Sequence, residues 1–265
     1  MAKFGGKDYN SIRGIRSDCM RKRLRWLSGL LLAAVLFVWA FSYGLGIWTI
    51  DWDEPAPFME GDVKSISYVD GKLVANLDQY RIDYVPIDQM PDHLVKAFVA
   101  VEDHRFYKHG GIDLLGLGRA VLINLRTRDI AQGGSSITQQ LARNLFLNLD
   151  QNMGRKLAEM SIALQLERKY DKNEILEMYI NQVNYGAGNW GVARAAAAYF
   201  DKDVADLTIG EAALLAGLVQ SPNYYAPVKD WELAITRQRY VLGRMAEYGY
   251  ITPEQAAAEV YQGEN

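Results

Sequence analysis

The chain has 265 residues, of which 49% are hydrophobic, and this is enough to bury a substantial core in one domain. Its formal net charge of −3 hides an asymmetry, because residues 1–25 carry eight basic and two acidic residues, which leaves 21 basic and 30 acidic residues for 51–265. Such an acidic domain excludes a general nucleic-acid binder, and the single cysteine, Cys19, excludes an internal disulfide.

Residues 26–50 form an uncharged stretch directly after the basic segment 1–25. As a helix it measures about 37 Å at ~1.5 Å per residue, which is enough to cross a ~30 Å hydrocarbon core with some tilt. Trp26 and Trp48 stand near its ends, where interfacial tryptophans are common. The sequence therefore predicts a cytoplasmic basic tail, a transmembrane helix over 26–50 and a remaining chain outside the cytoplasm; the alternative is a buried core helix.

Residues 51–84 are predicted to form a turn-rich linker and a β-hairpin. Two strand-like runs, Val63–Val69 and Lys72–Leu77, flank Asp70 and Gly71. Asp-Gly between two such runs is the strongest short signal for a hairpin, because both residues accept the positive φ angles of a tight turn.

After Pro91 the apolar residues recur with the period of a helix. The stripe at i, i+3, i+4 and i+7 consists of Leu94, Ala97, Phe98 and Val101. It predicts that Glu102 stands at the far end of the helix. A glutamate there is usually solvated, but one held against apolar neighbours has a raised pKa, which suits a general base. Asp103 is open to a simpler role, as an ion-pair partner of Arg105.

Residues 114–132 contain a glycine-broken apolar piece with two alternative interpretations. One is a core helix, and the other is a flexible flap that touches the membrane, because Gly116 and Gly118 each weaken a helix by about 1 kcal/mol. Both interpretations stay open at this point.

Helices are predicted to dominate from residue 135 onward. Ser135 can cap a helix that carries Gln139 and Gln140. Further helix starts are indicated by capping-box spacing or by a cap followed by proline, at Asp171 with Glu174, Thr208 with Glu211, and Thr252 with Pro253. No strand signal after the hairpin is comparably strong, so the fold class is mainly α.

The segment 152–169 places Arg155 and Glu159 one helical turn apart, with Lys156 at i+3 from Glu159. They share a face with three apolar residues, Ile162, Ala163 and Leu166. A charged pair beside an apolar stripe is expected to be partly buried, and the alternative is an ordinary surface pair worth ~0.3–0.5 kcal/mol. The adjacent arginine and lysine offer donors suited to a pyrophosphate.

The three histidines, His93, His104 and His109, lack the i, i+4 spacing of a helical metal site, so structural roles are predicted, with His109 near Asp113.

The segment 133–136, Gly-Gly-Ser-Ser, opens a helix. Its backbone amides suit an anion, but the lysine of a phosphate-binding loop is missing, so a plain loop is the favoured interpretation.

Four groups of residues share one property, since their order and spacing match the motifs of a single family. The groups are Glu102, Asp103, Phe106, His109, Gly111 and Asp113; Gly133, Gly134, Ser135, Ile137, Gln139 and Gln140; Arg155, Lys156 and Glu159; and Ile175, Leu176, Glu177, Tyr179 and Asn181. On these residues the chain, from about 85 to 259, resembles the peptidoglycan glycosyltransferases of family 51. These occur in bifunctional penicillin-binding proteins and in monofunctional transglycosylases. The departures from the pattern are Ser136 for threonine, Ile180 for leucine, Arg143 for lysine and Asn184 for an aromatic residue.

The resemblance implies a lysozyme-like, two-lobed domain, with a head and a membrane-dipping jaw, over 85–265. The implied reaction joins lipid-linked disaccharides with inversion at C1. It makes Glu102 and Glu159 catalytic, with Glu102 as the general base. The implied substrate-binding residues are Asp103, Phe106, His109, Ser135, Ser136, Gln139, Gln140, Arg143, Asn144, Arg155, Lys156 and Asn181.

The resemblance also implies partners and a location. The expected partners are lipid II, the growing lipid-linked glycan strand, the membrane and cell-wall synthesis proteins such as a transpeptidase, and no nucleic acid. The expected location is the cytoplasmic membrane, with the domain on its outer side, and the expected inhibitor is moenomycin. No cofactor is obligatory, but Mg²⁺ or Mn²⁺ bridging Glu159 to the pyrophosphate is one hypothesis.

Two further functions stay open. A membrane-tethered, lysozyme-like hydrolase would use Glu102 as a general acid to cut glycan. A catalytically inactive, glycan-binding scaffold would need neither Glu102 nor Glu159.

Overall fold

The computed structural model describes residues 48–58, 63–77, 82–127, 134–147 and 153–260. The chain divides into two compact units, Met1–Ile47 and Trp48–Asn265, and the first unit lies outside the described residues. The predicted tail 1–25 and positions 26–47 of the predicted transmembrane helix therefore lie outside them too. The predicted end of that helix at 50 is wrong, because 48–50 are not helical and Trp48 has a φ angle of 55°. Within the described ranges, no helix combines the length and apolarity needed to cross a membrane. The other domain boundaries set out above stay predictions.

The predicted hairpin is confirmed. Strands β1 (Val63–Val69) and β2 (Lys72–Leu77) pair antiparallel, and Val69 lies opposite Lys72. The turn residues Asp70 and Gly71 have φ angles of 47° and 79°. Both angles are positive, as the tight turn required.

The rest of the described regular structure is helical, which confirms a mainly α fold with a small two-stranded sheet. In chain order the helices are α1 (Asp92–Glu102), α2 (Leu114–Thr127), α3 (Ile137–Phe146), α4 (Met153–Lys169), α5 (Lys172–Gln182), α6 (Val192–Phe200), α7 (Ile209–Leu218), α8 (Pro222–Tyr225), α9 (Trp231–Glu247) and α10 (Pro253–Ala258). Short 3-10 turns occupy Ile87–Gln89, Phe106–Lys108 and Val204–Asp206.

Side-chain caps start many of these helices where the sequence predicted them. Reciprocal capping boxes are present at α5, α7 and α10, formed by Asp171 with Glu174, Thr208 with Glu211, and Thr252 with Gln255. Each box satisfies two backbone N–H groups that the first turn of a helix cannot pair internally.

The predicted cap of α3 by Ser135 is wrong, because Ser136 is the N-cap. Ser136 Oγ accepts from Gln139 N–H at 3.1 Å, and Ser136 N–H donates to Gln139 Oε1 at 3.0 Å. The hydroxyl of Ser136 also donates to the carbonyl of Gly111, whereas Ser135 Oγ accepts from Lys156 Nζ at 2.7 Å. The local capping-box spacing to Gln139, which Ser136 has and Ser135 lacks, accounts for the cap.

Buried amide side chains attach the segments that precede α1 to helices α4 and α5. We call Gln165, Asn181 and Gln182 the amide clamps, because each accepts from one backbone N–H of such a segment and donates to one of its backbone carbonyls. Their backbone partners are Ile50 N (3.0 Å) and Trp48 O (2.7 Å) for Gln165, Val85 N and O (2.8 Å each) for Asn181, and Ala75 N (2.9 Å) and Leu73 O (2.7 Å) for Gln182. These side chains thereby pair backbone N–H and C=O groups that have no partner strand on that side.

Two helix groups meet around α1. Helix α1 packs on α7 and α9, while α3 packs on α4 and α5. Phe98 of α1 lies edge-on to Tyr179 and Tyr185, at centroid distances of 6.1 and 6.2 Å. This buried core fixes the carboxyl end of α1, where Glu102 stands.

Candidate active site

A cleft of about 330 Å³ opens beside the carboxyl end of α1. The residues of its wall come from α1 and the turn after it, from α2, from α3 and the residues just before it, from the turn after α7, and from α9. Its charged and polar lining includes Glu102, Asp103, His104, Asp113, Arg119, Ser135, Ser136, Gln140, Arg143, Gln220, Arg237, Tyr240 and Arg244. Six of the fourteen predicted site residues are therefore brought together here: Glu102, Asp103, Ser135, Ser136, Gln140 and Arg143.

Glu102 is the last residue of α1 and is partly buried in the cleft wall. Burial raises the pKa of Glu102, while the hydrogen bond from Gln140 and the charges of Arg237 and Arg143 act in the opposite direction. The net direction is upward, which is the one expected of a base that works near neutral pH.

Gln140 links Glu102 to the protein interior. Its Nε2 donates to Glu102 Oε2 at 2.9 Å, and its Oε1 accepts from the hydroxyl of Tyr179 at 2.9 Å. The amide therefore holds the carboxylate on one side and a buried phenol on the other.

Asp103 and His109 form a buried pair next to Glu102. Their Oδ2 and Nε2 atoms are 2.9 Å apart, and the same Oδ2 accepts from the first backbone N–H of α3, that of Ile137, at 3.3 Å. The suggested ion pair of Asp103 with Arg105 is wrong, because Arg105 Nε lies 3.2 Å from Asp113 Oδ2 instead. Asp103 thus locks the start of α3 against the end of α1.

This arrangement also answers the question of an anion site on the amides that open α3. Three of those N–H groups already donate within the protein, to Gln139 Oε1, Asp103 Oδ2 and Ser136 Oγ. The simpler interpretation, a capped loop, is the one that the structure supports.

Four arginines line the cleft, namely Arg119, Arg143, Arg237 and Arg244. The Nε of Arg143 is buried and makes no hydrogen bond to any described residue. An arginine keeps its charge at all working pH values, so the cleft offers a permanent cationic wall to an anionic ligand.

Sequence reasoning missed the wall that α9 contributes. Arg237, Tyr240 and Arg244 stand at i, i+3 and i+7, so they share one face of that helix. The guanidinium of Arg237 lies 4.6 Å from the ring centre of Tyr240, and its Nε donates to Gly217 O at 3.2 Å. A basic and aromatic stripe at helical spacing was the signal that could have found them.

His104 joins α2 to α9 at the cleft edge. Its ring stacks on Tyr248, with centroids 4.7 Å apart and 6° between planes, and its Nε2 lies 3.1 Å from Arg119 Nη1. Burial, reinforced by the charges of Arg119 and Arg244, lowers the pKa of His104. The neutral ring can then accept a hydrogen bond from Arg119.

The predicted partly buried charge cluster is present on α4. Glu159 is only 1% exposed and has Lys156 Nζ at 2.7 Å and Arg155 Nε at 3.5 Å. Lys156 Nζ also donates to Ser135 Oγ, which connects the cluster to the cleft. The alternative of an ordinary surface pair is wrong, because a surface pair is not buried this deeply.

Other predicted site residues lie in the interior. Phe106 and Asn181 are fully buried, and Gln139 is the partner of the α3 cap. Their observed contacts are internal and support the shape of the site. Asn144 is half-buried on α3 and lies outside the cleft lining described above. Asn184 Oδ1 accepts from Gly186 N–H at 2.7 Å and so shapes a turn.

Helix α2 is formed despite its glycines and keeps Leu114 and Leu115 exposed, at 38% and 66%. The side chains of 121–127 lie outside the description. The choice between core helix and membrane-touching flap therefore stays open.

Comparison with known proteins extends these observations. A family model described as transglycosylase matches residues 70–246. Penicillin-binding protein 1A of Aquifex aeolicus is 47% identical over 185 residues, which is 70% of this chain and 26% of that protein. Penicillin-binding protein 1A of Escherichia coli K12 is 43% identical over 186 residues, which is 70% of this chain and 22% of that protein.

A crystal structure of penicillin-binding protein 1A from Haemophilus influenzae covers 73% of this chain and 19% of its own chain, at 24% identity and a TM-score of 0.43. The chain thus spans about a quarter of the length of the curated relatives named above. The family match covers well over half of the chain and includes the cleft residues from Glu102 to Arg244. It confirms the resemblance drawn from the four motifs: the chain belongs to the transglycosylase family, as a peptidoglycan glycosyltransferase domain of the kind found in penicillin-binding proteins.

Proposed function

We propose that this chain polymerises lipid II into β-1,4-linked glycan strands and releases polyprenyl pyrophosphate. The observation that carries the proposal is one cleft that holds a carboxylate of raised pKa, Glu102, together with four arginines. A base and a cationic wall are what a sugar transfer away from a pyrophosphate requires.

Glu102 acts as the general base. Its carboxylate takes the proton of the 4-hydroxyl of the incoming disaccharide, and that oxygen attacks C1 of the lipid-linked chain. The C1–O bond to the pyrophosphate breaks as the new bond forms, and the electron pair leaves with the pyrophosphate. Attack from the opposite face turns the α linkage into a β linkage. The raised pKa helps because a more basic carboxylate accepts the proton more readily.

The arginines spread the charge of the departing pyrophosphate. Arg143 is the strongest candidate, since it lines the same cleft as Arg237 and its buried Nε makes no hydrogen bond among the described residues. Donors already in place need no reorganisation as negative charge develops, which is why such groups are effective.

The cluster of Arg155, Lys156 and Glu159 assists from the side of Ser135. Glu159 orients the two cations, and Lys156 reaches the cleft lining through the hydroxyl of Ser135.

The carboxylate of Glu159 is already balanced by two cations, so a divalent ion beside it would meet like charge. Asp103, His109 and Asp113 have ligand atoms within 4.8 Å of one another, but His109 and Arg105 already occupy the two carboxylates. The proposed mechanism runs no step through Mg²⁺ or Mn²⁺.

Sugar and phosphate are oriented by residues at the cleft surface. Ser135 and Gln140 line the cleft and are proposed to contact substrate directly. Asn144, half-buried on α3 outside that lining, is proposed to contact substrate as well. Phe106, Ser136, Gln139 and Asn181 are proposed to act through the positions of others, because their side chains are buried. Asp103 and His109 keep the end of α1 and the start of α3 together.

The membrane completes the proposal. A transmembrane helix that starts at 26 and ends before Trp48 would keep the cleft near lipid carriers, with the domain on the outer face of the cytoplasmic membrane. A head lobe and a membrane-dipping jaw of lysozyme-like type, sensitivity to moenomycin and cooperation with a transpeptidase are part of the same proposal. The exposed Leu114 and Leu115 support membrane contact near α2.

The test is glycan-strand formation from purified lipid II in detergent. Wild type is compared with Glu102→Gln, which keeps the shape of the side chain but removes the base, and with Glu232→Gln, an exposed control on α9. We expect polymer from wild type and from the control, and at least about 100-fold less from Glu102→Gln. Cleavage of pre-made glycan without polymer would favour the hydrolase. The absence of both polymer and cleavage from all three proteins would favour the scaffold, and equal polymer from all three would refute Glu102 as the base.

A further inference from the structure

Tyr179 stands behind the base and outside the cleft. It lies on α5, is fully buried and donates its hydroxyl to Gln140 Oε1 at 2.9 Å. Gln140, on α3, then donates from Nε2 to Glu102 Oε2 at 2.9 Å. Three helices thus contribute one continuous line of hydrogen bonds that ends on the carboxylate.

The line has a direction because of the chemistry of its middle member. An amide side chain has an oxygen that only accepts and a nitrogen that only donates. If the amide of Gln140 were rotated by 180°, its oxygen would face the ionised carboxylate of Glu102, and two acceptors would repel. A donor that binds the oxygen on the far side reinforces the orientation in which the nitrogen faces Glu102.

Tyr179 can do this at every working pH. Burial, together with the nearby charge of Glu102, raises the pKa of Tyr179 well above 10, so its hydroxyl retains a proton to donate. A phenol on a rigid ring is also held in place, since Tyr179 packs edge-on to Phe98 at 6.1 Å with 88° between the rings.

We infer that Tyr179 is a positioning residue, which selects the orientation of the Gln140 amide and thereby holds Glu102 aligned and ionised for proton removal. The inference rests on the proposed function, in which Glu102 is the general base. Tyr179 never touches the substrate in this scheme and acts through Gln140 alone.

The fold supplies a matched control in Tyr185. It is also fully buried, packs edge-on to the same Phe98 at 6.2 Å with 87° between the rings, and donates its hydroxyl to Ile180 O at 2.9 Å. Its hydrogen bond ends on backbone and does not reach Glu102. Removal of either hydroxyl costs one buried hydrogen bond, but only the hydroxyl of Tyr179 is connected to Glu102 through Gln140.

The charges that face Glu102 are the same in both variants. They are Asp103 beside it, Arg143 on α3 and Arg237 on α9, with His104, Asp113, Arg119 and Arg244 further along the same cleft. A difference between the variants is therefore assigned to the hydroxyl of Tyr179.

The experiment measures lipid II polymerisation by the full-length chain in detergent as a function of pH. Wild type is compared with Tyr179→Phe and Tyr185→Phe. For Tyr179→Phe we expect kcat to fall about five-fold, KM to stay within two-fold, and the acid limb of the profile to move to higher pH. The limb moves up because a donor that favours ionised Glu102 is no longer held in place. For Tyr185→Phe the acid limb stays where it is in wild type.

A second comparison uses Gln140→Ala, which removes the middle of the line. This variant alone should move the acid limb in the same direction, which keeps the test available if Tyr179→Phe does not fold. Adding Tyr179→Phe to Gln140→Ala should then move the limb no further.

Three outcomes would overturn the inference. They are an acid limb that Tyr179→Phe leaves unmoved in an active enzyme, a limb that both tyrosine variants move equally, and a shift that persists in full when Gln140 is alanine. A wild type that forms no polymer would instead refute the proposed function, and the inference would fall with it.

Discussion

Replacement of Asn181 by alanine separates a structural role from the substrate-binding role that the family resemblance implies. Asn181 is fully buried and makes three short hydrogen bonds, with Val85 N and Val85 O at 2.8 Å each and with Glu177 O at 2.9 Å. Each is worth about 1 kcal/mol net, so the loss of all three destabilises the protein by about 3 kcal/mol. For a domain of this size that is a fall in Tm of about 6–12 °C.

The assay is thermal denaturation of the full-length chain in detergent, followed by circular dichroism, with polymerisation kinetics on the same samples at a temperature well below either Tm. Asn76→Ala is the matched control, since Asn76 is exposed and its amide donates to the side chain of Ser65, at 3.1 Å from its Oγ. We expect the control to change stability by no more than about 0.5 kcal/mol. The reasoning is refuted if Asn181→Ala lowers Tm no more than the control does, and a raised KM at unchanged Tm would establish the substrate contact instead.

Three further predictions concern charge and backbone. Arg237→Met removes a positive charge that favours the ionised form of Glu102, so the pKa of Glu102 rises. The acid limb of the pH–rate profile should therefore move to higher pH, and an unmoved limb would contradict this. Lys156→Met leaves the buried carboxylate of Glu159 with one fewer cation, and we expect thermal or urea denaturation to show a loss of about 3 kcal/mol in stability. Replacing both Lys156 and Glu159 by methionine should recover most of that loss. Gly111→Ala should destabilise by about 1–3 kcal/mol in the same assay, because φ is +83° and the added Cβ would lie 3.1 Å from α4, whereas Gly110→Ala, with open space around it, should have little effect.

Local chemistry made much of the fold predictable. The Asp70-Gly71 turn predicted where both strands of the hairpin meet the turn, because few residue pairs accept two positive φ angles in succession. Capping boxes gave the starts of α5 and α7 for a similar reason, since the cap and its partner are only three residues apart. Signals that lie within one turn of the chain can be read from the sequence.

Features that depend on distant partners were not predictable in the same way. The hydrogen bond from the Ser136 hydroxyl to the carbonyl of Gly111 joins positions 25 apart, and no local signal announces it. The choice of cap is different, because Ser136 has the capping-box spacing to Gln139 that Ser135 lacks. Glu102 and Asp103 were found by motif, but Arg237 joins them across more than 130 positions of the chain, and helical spacing alone does not say which cleft a stripe faces. The partners of a site have to be brought together by the fold before their chemistry is apparent.

The amide clamps have a consequence for how the protein is made. Each joins a segment near the start of the domain to a helix that is synthesised later, over separations of 115, 96 and 107 positions for Gln165, Asn181 and Gln182. At ribosomal rates of about 5–20 residues per second, those segments wait roughly 5–20 s for their partners. During that interval the backbone edge of β2 is open to pairing with other chains. The nascent domain therefore passes through a period of aggregation risk that ends only when α5 has formed and Gln182 can close the edge.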